Sequence, residues 1–279
     1  MNIDLHCHSS ISDGSMTPAN LVKRAKLNGV DVLALTDHDH LGGISLARKV
    51  ADEINLLFVS GVEISVTWSG ETVHIIGLCI DENNKTLQSG LESVRIGRID
   101  RAKEIAAQLS DCGIENSFEG AKRFATNHEL IGRTHFARFL VDKGICLTLH
   151  DVFKKYLVKG KPGYVPHEWA DLDSAIWWIK EAGGIAVIAH PGRYSFNEAV
   201  FDVFVSKFKK LGGEGIEVVT GSHNDYQFHK YALYAKKNKL LASRGSDFHN
   251  ITESKYDLGM IPNLPNNLLP IWHNWEILS

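Results

Sequence analysis

The sequence predicts an α/β protein with a barrel-like body of parallel strands, split in the chain by a helical insertion. Three observations support this. Short apolar runs alternate with helical periodicity towards both ends of the chain, the pattern of parallel strands joined by crossover helices. From Thr86 to about Lys161 the periodicity is helical with no strand pattern. The 279 residues, 44% hydrophobic and 23% charged, suit one large domain, since α/β barrels run to about 200–250 residues.

Residues 2–5 and 30–36 read as strands. Between them Thr17-Pro18 is an N-cap followed by proline at the first helical position, and Gly29 closes the helix. A helix over 41–54 leads to a strand pair, 57–66 and 72–79, turned at Ser69-Gly70-Glu71. Helices are expected near 86–110, 117–127, 133–143 and 148–157, broken by Gly113, Gly132 and Gly144. Strands at 185–189, 215–219 and 240–244 then alternate with helices near 171–182, 197–211 and 223–238. The division expected is therefore a barrel domain over 1–85 and 162–279, with a helical insertion domain over 86–161.

Composition excludes several classes. Thirty basic against 33 acidic residues give a net charge of −3, too mild for a general nucleic-acid or membrane surface. No apolar run reaches the roughly 18 residues of a membrane span, and the opening residues lack a signal-peptide pattern; a cytoplasmic protein with no obligate protein partner is expected. Cys7, Cys79, Cys112 and Cys146 are scattered, without the spacing of a disulfide framework or a thiolate zinc site.

Metal-type side chains cluster at predicted strand ends. In extended backbone, residues two apart face the same side, so His6 and His8 can reach one metal while Cys7 points away into the core. Thr36-Asp37-His38-Asp39, Gly61-Val62-Glu63, Ala189-His190-Pro191 and Ser246-Asp247-Phe248-His249 end four further strands. In a barrel of parallel strands these ends converge on one face, where such enzymes place their active sites. A single histidine is ordinarily structural; histidines and carboxylates at successive exits are not. Imidazoles and carboxylates without thiolate suit Mn²⁺, Fe²⁺ or Zn²⁺. Asp37 and Asp39 read equally as residues that orient histidine N–H groups or as helix-start acids. Glu217 can face the interior or a helix, and His223 reads as a rim residue.

The set His6-x-His8, Ser12-Asp13-Gly14, Thr36-Asp37-His38, Gly61-x-Glu63, His74, Ala189-His190-Pro191 and Ser246-Asp247-x-His249 resembles the PHP family, the polymerase and histidinol phosphatase superfamily, over nearly the whole chain. Asp13-Gly14, the run Thr36–Asp39, the helical insertion and the run Gly245–His249 are most similar to its TrpH-type, or RNase AM, branch of nucleoside 3′,5′-bisphosphate phosphatases and 5′-to-3′ exoribonucleases. The resemblance implies a distorted seven-stranded (β/α) barrel holding three divalent ions, Mn²⁺ first and Fe²⁺ or Zn²⁺ as alternatives. By position, His6, His8, Glu63 and Asp247 would surround one ion. Glu63, His74 and His190 would take a second, and Asp13, His38 and His249 a third. Glu63 would bridge, and Glu63, His190 and His249 would form the catalytic centre around a metal-bridging hydroxide, with no protein nucleophile. Three divalent ions, three carboxylates and one hydroxide leave a surplus of about +2, which favours a phosphate dianion over an amide.

Arg95, Arg98 and Arg101 recur every three residues on a predicted helix, with Val94, Ala102, Ile105 and Leu109 turned inward. Arg133-Thr134 opens another helix, where an N-terminus and a guanidinium favour an anion. Charged faces are ordinarily just solvated, but the resemblance implies that Arg98, Arg101, Arg133 and Thr134 hold the non-reacting 5′-phosphate end, with Asp13 and Gly14 also at the substrate. The expected reaction removes the 3′-phosphate of a nucleoside 3′,5′-bisphosphate, a small nucleotide substrate, and extends to short single-stranded 5′-phosphorylated RNA. A histidinol-phosphate type of phosphatase and a non-enzymatic metal-stabilised module are the alternatives.

Overall fold

The computed structural model describes residues 1–275. Its seven strands form one sheet in chain order. β1 (Ile3–Asp4), α1 (Pro18–Leu27), β2 (Val32–Leu35), α2 (Ile44–Glu53), β3 (Leu57–Trp68) and β4 (Glu71–Leu78) come first. Helices α3 (Lys85–Ser110), α4 (Ser117–Lys122), α5 (Arg133–Asp142) and α6 (Leu149–Val152) follow, with a π-helical turn at Phe153–Leu157. The chain then alternates through α7 (Leu172–Glu181), β5 (Ile185–Ile188), α8 (Glu198–Lys210), β6 (Gly215–Thr220), α9 (Asp225–Asn238) and β7 (Leu241–Gly245).

Neighbouring strands are parallel except around β4, which runs antiparallel to both β3 and β5. That reversal follows from the two-residue turn at Ser69 and Gly70, both at positive φ (50° and 76°), a conformation that joins adjacent strands tightly. The sheet nearly closes between β7 and β1: the Leu5 N–H donates to the Arg244 carbonyl at 3.0 Å, and Cys7 pairs with Phe248 as an isolated bridge. The first two strands are shorter than their sequence patterns, because beyond Asp4 and Leu35 the extended backbone pairs only through single bridges, Cys7 with Phe248 and His38 with Glu63. Those departures free the exits for function. The helix expected from residue 41 begins at Ile44, since His40 Nδ1 takes the Gly42 N–H at 2.8 Å and holds a turn there.

Two apolar layers flank the sheet. Leu33, Leu35, Ile64, Ile75 and Ile188 pack against the surrounding helices. Ile3, Val32, Ala34, Val59, Ile76, Leu78 and Val187 form a second cluster with Ile271. Because side chains alternate along a strand, Val59 shares a face of β3 with Glu63, and Ile76 and Leu78 share a face of β4 with His74; this cluster therefore floors the polar site. Trp272 and Trp275 pack on it.

α3 straddles two cores. Its Leu87 and Leu91 belong to the cluster around the sheet, while Ala102, Ile105 and Leu109 join Phe136, Phe139, Leu140 and Val152 of the helical segment. Among the described residues no helix is long and apolar enough to cross a membrane.

Gly90 marks where α3 lies closest to α7: a Cβ there would meet the Trp178 indole at 2.3 Å. Alanine favours a helix interior by about 0.8–1.0 kcal/mol over glycine, but forcing atoms into a packed contact costs about 1–3 kcal/mol. Gly90→Ala should therefore lower the thermal midpoint, and a rise measured by calorimetry would contradict the close packing of the two helices.

Candidate metal centre

His6 and His8 turn to the interior on either side of Cys7, whose thiol donates to the Ala34 carbonyl at 3.2 Å, as alternation along a strand requires. Gly245 allows this approach, since a Cβ there would lie 2.2 Å from the His6 Cβ. Glu63 stands at the middle of the mouth, fully buried. Its Oε1 lies 2.8 Å from His190 Nε2 and 2.9 Å from His74 Nδ1. Its Oε2 lies 2.9 Å from His38, 3.3 Å from His8 and 3.4 Å from His6. Asp247 Oδ1 is 3.4 Å from His6 and 3.3 Å from His8, and Asp13 Oδ1 is 3.2 Å from His249. All nine positions singled out in the sequence as ligands thus converge on one mouth.

Their groups differ in detail from the expected division. Donor atoms that lie together come from His8, Asp13, His38 and His249; from His6, Glu63 and His190; from His6, His8 and Asp247; and from His38, Glu63 and His74. His8 also approaches the set around Asp13, and His38 also approaches His74. The reason is the reversed β4, which lowers His74 opposite Ser65, beside Glu63 rather than at a separate exit.

The electrostatics favour a bound cation. Burial disfavours ionising Glu63, Asp13 and Asp247, yet the surrounding imidazoles hold all three well below the usual carboxylate range. Burial, and then His249 and His38, push His8 down to about 3; burial, and then Arg193, do the same to His190. Burial opposes the charge on His249, but Asp13 beside it raises the imidazole to about 9. Five buried atoms at the mouth, His8 Nδ1, Asp13 Oδ1, His38 Nδ1, Glu63 Oε2 and His190 Nδ1, have no hydrogen-bond partner among the described residues. Unpartnered buried polar atoms are costly, and imidazole and carboxylate donors without thiolate fit hard or borderline divalent ions. The residues present fit such ions.

Three residues at the exits carry positive φ: Asp39 (48°), His190 (23°) and Asp247 (53°). Non-glycine residues adopt this conformation only when their surroundings fix it. His190 is fixed by its N–H, which donates to Glu217 Oε2 at 2.6 Å, and by the next turn, where His223 Nε2 accepts the Gly192 N–H at 2.9 Å. His223 is therefore fully buried and not a rim residue. Neither Asp37 nor Asp39 orients a histidine or starts a helix. Asp37 accepts from the Ser9 N–H and from the Ser9 and Ser12 hydroxyls, pinning the loop that carries Asp13. Asp39 accepts from the Ser65 N–H and hydroxyl and pairs with Arg98.

A cleft of about 430 Å³ continues from this mouth and is lined by Asp13, His38, His74, His190 and His249 at one end and Arg98, Arg101, Arg133, Thr134 and Tyr164 at the other. Arg98 spends its Nε and Nη2 on Asp39 and stacks on Trp169, its carbon 4.6 Å from the ring centre. Arg101 donates Nε to the Val165 carbonyl and Arg133 donates Nη1 to the Leu157 carbonyl. Among the described residues neither has a carboxylate partner, and burial with other guanidiniums beside them depresses both from the ordinary arginine value. Thr134 Oγ1 donates to Asp13 Oδ2 at 3.3 Å. Arg95 lies outside the cleft lining, donating to the Asp39 carbonyl and facing Glu129. Gly14 is also absent from this lining: its N–H donates to the Ser9 carbonyl, and a Cβ there would sit 2.2 Å from the His8 carbonyl oxygen. Sequence reasoning missed Arg193, whose Nη1 donates to Asp247 Oδ2 at 3.0 Å at the cleft wall. Its place three residues after His190, on the turn that follows a strand exit, was the available signal.

Comparison with known proteins agrees with this geometry. A PHP domain model matches residues 4–130. A 3′,5′-nucleoside bisphosphate phosphatase of Chromobacterium violaceum is 48% identical over 275 residues, 99% of this chain and 96% of that protein. A 5′-3′ exoribonuclease of Haemophilus influenzae is 40% identical over 272 residues, 98% of each chain. The structure of an amidohydrolase from Chromobacterium violaceum, with bound sulfate and no metal, superposes with a TM-score of 0.95 at 48% identity, covering 98% of this chain and 95% of that one. With nine candidate ligands at the mouth of a nearly closed seven-stranded barrel and identity to such relatives along almost its whole length, the chain belongs to the PHP family.

Proposed function

We propose that this protein is a metal-dependent phosphoesterase that removes the 3′-phosphate from nucleoside 3′,5′-bisphosphates, leaving the nucleoside 5′-monophosphate, and that it shortens 5′-phosphorylated RNA from its 5′ end. The observation that carries this reading is the single cleft joining the buried ligand cluster to Arg101 and Arg133, cations with no carboxylate partner among the described residues. A substrate with two phosphates engages both ends; a histidinol-phosphate type of substrate leaves the arginines idle. The phosphatase and exoribonuclease relatives support the same reading. So would the surplus of about +2 that three divalent ions would leave at the mouth, which suits a phosphate better than the neutral amide of an amidohydrolase.

His6, His8, Asp13, His38, Glu63, His74, His190, Asp247 and His249 would hold three divalent ions, Mn²⁺ first among them. Bound there, such ions supply Lewis-acid polarisation of the phosphoryl oxygens and a nucleophilic water at neutral pH. Glu63, a member of two of the four groups and facing donor atoms of the other two, holds them in register. Arg193, anchored by Asp247, meets the oxygens of the reacting phosphate. Arg101 and Arg133, with Arg98 behind them and Thr134 beside Asp13, receive the 5′-phosphate and so fix which end of the nucleotide reaches the cluster. The helical segment 86–161 acts in this reading as the substrate-binding unit, since α3 and α5 bring all four of these residues. The cytoplasm, where nucleotides and RNA fragments are found, is its site of action.

Incubated with Mn²⁺, the protein should release phosphate from adenosine 3′,5′-bisphosphate faster than from 3′-AMP or 5′-AMP, with 5′-AMP as the product. Release of the 5′-phosphate instead would reverse the proposed polarity. His8→Ala and Glu63→Ala should each lower phosphate release more than about a hundredfold, since even residues that merely orient metal ligands are worth about 10–100-fold; the circular dichroism spectrum should persist. Retained turnover in a folded variant would count against the ligand assignment.

Arg101→Ala and Arg133→Ala should raise the Michaelis constant for the bisphosphate by about 10–100-fold, the equivalent of a charged hydrogen bond of about 1.5–3 kcal/mol. They should leave that for 3′-AMP little changed. Equal effects on both substrates would place the 5′-phosphate elsewhere.

A further inference from the structure

We infer that Glu217 is a positioning residue that sets the coordinating atom of one ligand and the backbone of another with a single carboxylate; this rests on the metal reading above. Glu217 lies on β6, fully buried. Its Oε1 lies 2.9 Å from His6 Nδ1, and its Oε2 accepts the His190 N–H at 2.6 Å. His6 and His190 are two of the three residues whose donor atoms meet with Glu63. No lysine or arginine pairs with Glu217 among the described residues, so an ordinary ion pair does not explain why a carboxylate is kept there.

An ionised carboxylate only accepts hydrogen bonds. Facing His6 Nδ1, it requires the proton on that nitrogen and leaves Nε2 with its lone pair. Nε2 is the atom aimed at the centre, 3.4 Å from both Glu63 Oε2 and Asp247 Oδ1 and 3.1 Å from His8 Nε2. The other oxygen secures the N–H of His190 in its left-handed conformation, from which Nε2 reaches Glu63. A second feature points the same way: the pairing of β6 with β7 shifts register between Glu217 and Val219. Bulges of this kind re-aim side chains beside active sites. The turn after His190 is held independently, with the Gly192 carbonyl accepting from Gln227 and its N–H donating to His223, so Glu217 governs the His190 backbone at its start while α9 secures its end.

Glu217→Gln separates positioning from mere packing, because it keeps the shape of the side chain. Its oxygen can still take the His190 N–H, but its NH₂ then faces His6 and requires the lone pair on Nδ1, moving the proton to Nε2 where it blocks coordination. The test is titration of metal-free wild type and Glu217→Gln with Mn²⁺, following bound metal by elemental analysis and calorimetry, together with the thermal midpoint of each metal-free protein. Expected is a loss of about 10–100-fold in affinity for at least one ion, with an unchanged midpoint. Unchanged affinity in the variant while wild type binds Mn²⁺ overturns the inference alone; failure of wild type to bind any divalent ion overturns the metal reading with it. Nitrogen-15 correlation spectra of the Zn²⁺-loaded wild type give a check that needs no variant: the proton should reside on His6 Nδ1, and finding it on Nε2 overturns the assignment whether or not the variant folds.

Discussion

Everything at the barrel mouth is arranged around one buried carboxylate. Glu63 has no exposure, yet donor atoms of His6, His8, His38, His74 and His190 all lie within 3.4 Å of its two oxygens. One carboxylate cannot satisfy five imidazoles, and imidazoles brought this close present nitrogen to nitrogen, as His6 Nε2 and His8 Nε2 do at 3.1 Å. In a dry site such contacts are unfavourable unless charge of the right sign sits among them. Cations resolve the conflict at once: each gains several lone pairs, and the ionised Asp13, Glu63 and Asp247 gain a counter-charge. The donor set, the orphaned atoms and the low carboxylate values are therefore three consequences of one constraint.

The fold meets that constraint by bending strand exits rather than by lengthening strands. Regular β-structure would carry His38, His190 and Asp247 past the mouth. Instead, left-handed residues at Asp39, His190 and Asp247 turn the chain immediately after the ladder ends. Each is secured: Asp39 by Ser65 and Arg98, His190 by Glu217, and Asp247 by its N–H donating to the His6 carbonyl. Strain of this sort persists only where surrounding bonds over-determine it. The reversal of β4 completes the arrangement by bringing His74 to Glu63 from the opposite chain direction.

Much of this was legible in the sequence, for a physical reason. Alternation along a strand is local, so His6-Cys7-His8 announces two imidazoles on one face and a thiol on the other, and capping at Thr17-Pro18 announces α1. What was not legible depends on partners far apart in the chain. Arg98 reads as a free cation on a helix face until Asp39, 59 residues away, is found beneath it. Glu217 is ambiguous until it meets His6 across 211 residues. His223 looked like a rim residue because the loop after β6 is polar, but the turn at Gly192 needs an acceptor inside. Gly14 carries no chemistry in its spacing; it is required by the His8 backbone 2.2 Å from where its Cβ would be.

Under the proposed function, the distant pairs also account for how the cleft would select a substrate. Arg98 joins α3 to Asp39, the neighbour of His38, through a pair whose carboxylate is fully buried and whose guanidinium is partly so. Arg138 on α5 forms a two-pronged pair with Glu253, close after His249, at 3.0 and 2.7 Å. Each clamp ties the helical segment to a loop that carries a candidate ligand, so the arginine end and the cluster end are parts of one frame. Leaving the buried Asp39 carboxylate without its partner would be strongly destabilising, and the frame therefore resists opening or shortening at that clamp. A fixed separation acts as a ruler: binding energy from a remote phosphate is converted to rate only when the reacting bond is correctly placed. Under the proposed function, specificity would then follow from the spacing of two anionic groups on the substrate more than from contacts with whatever lies between them.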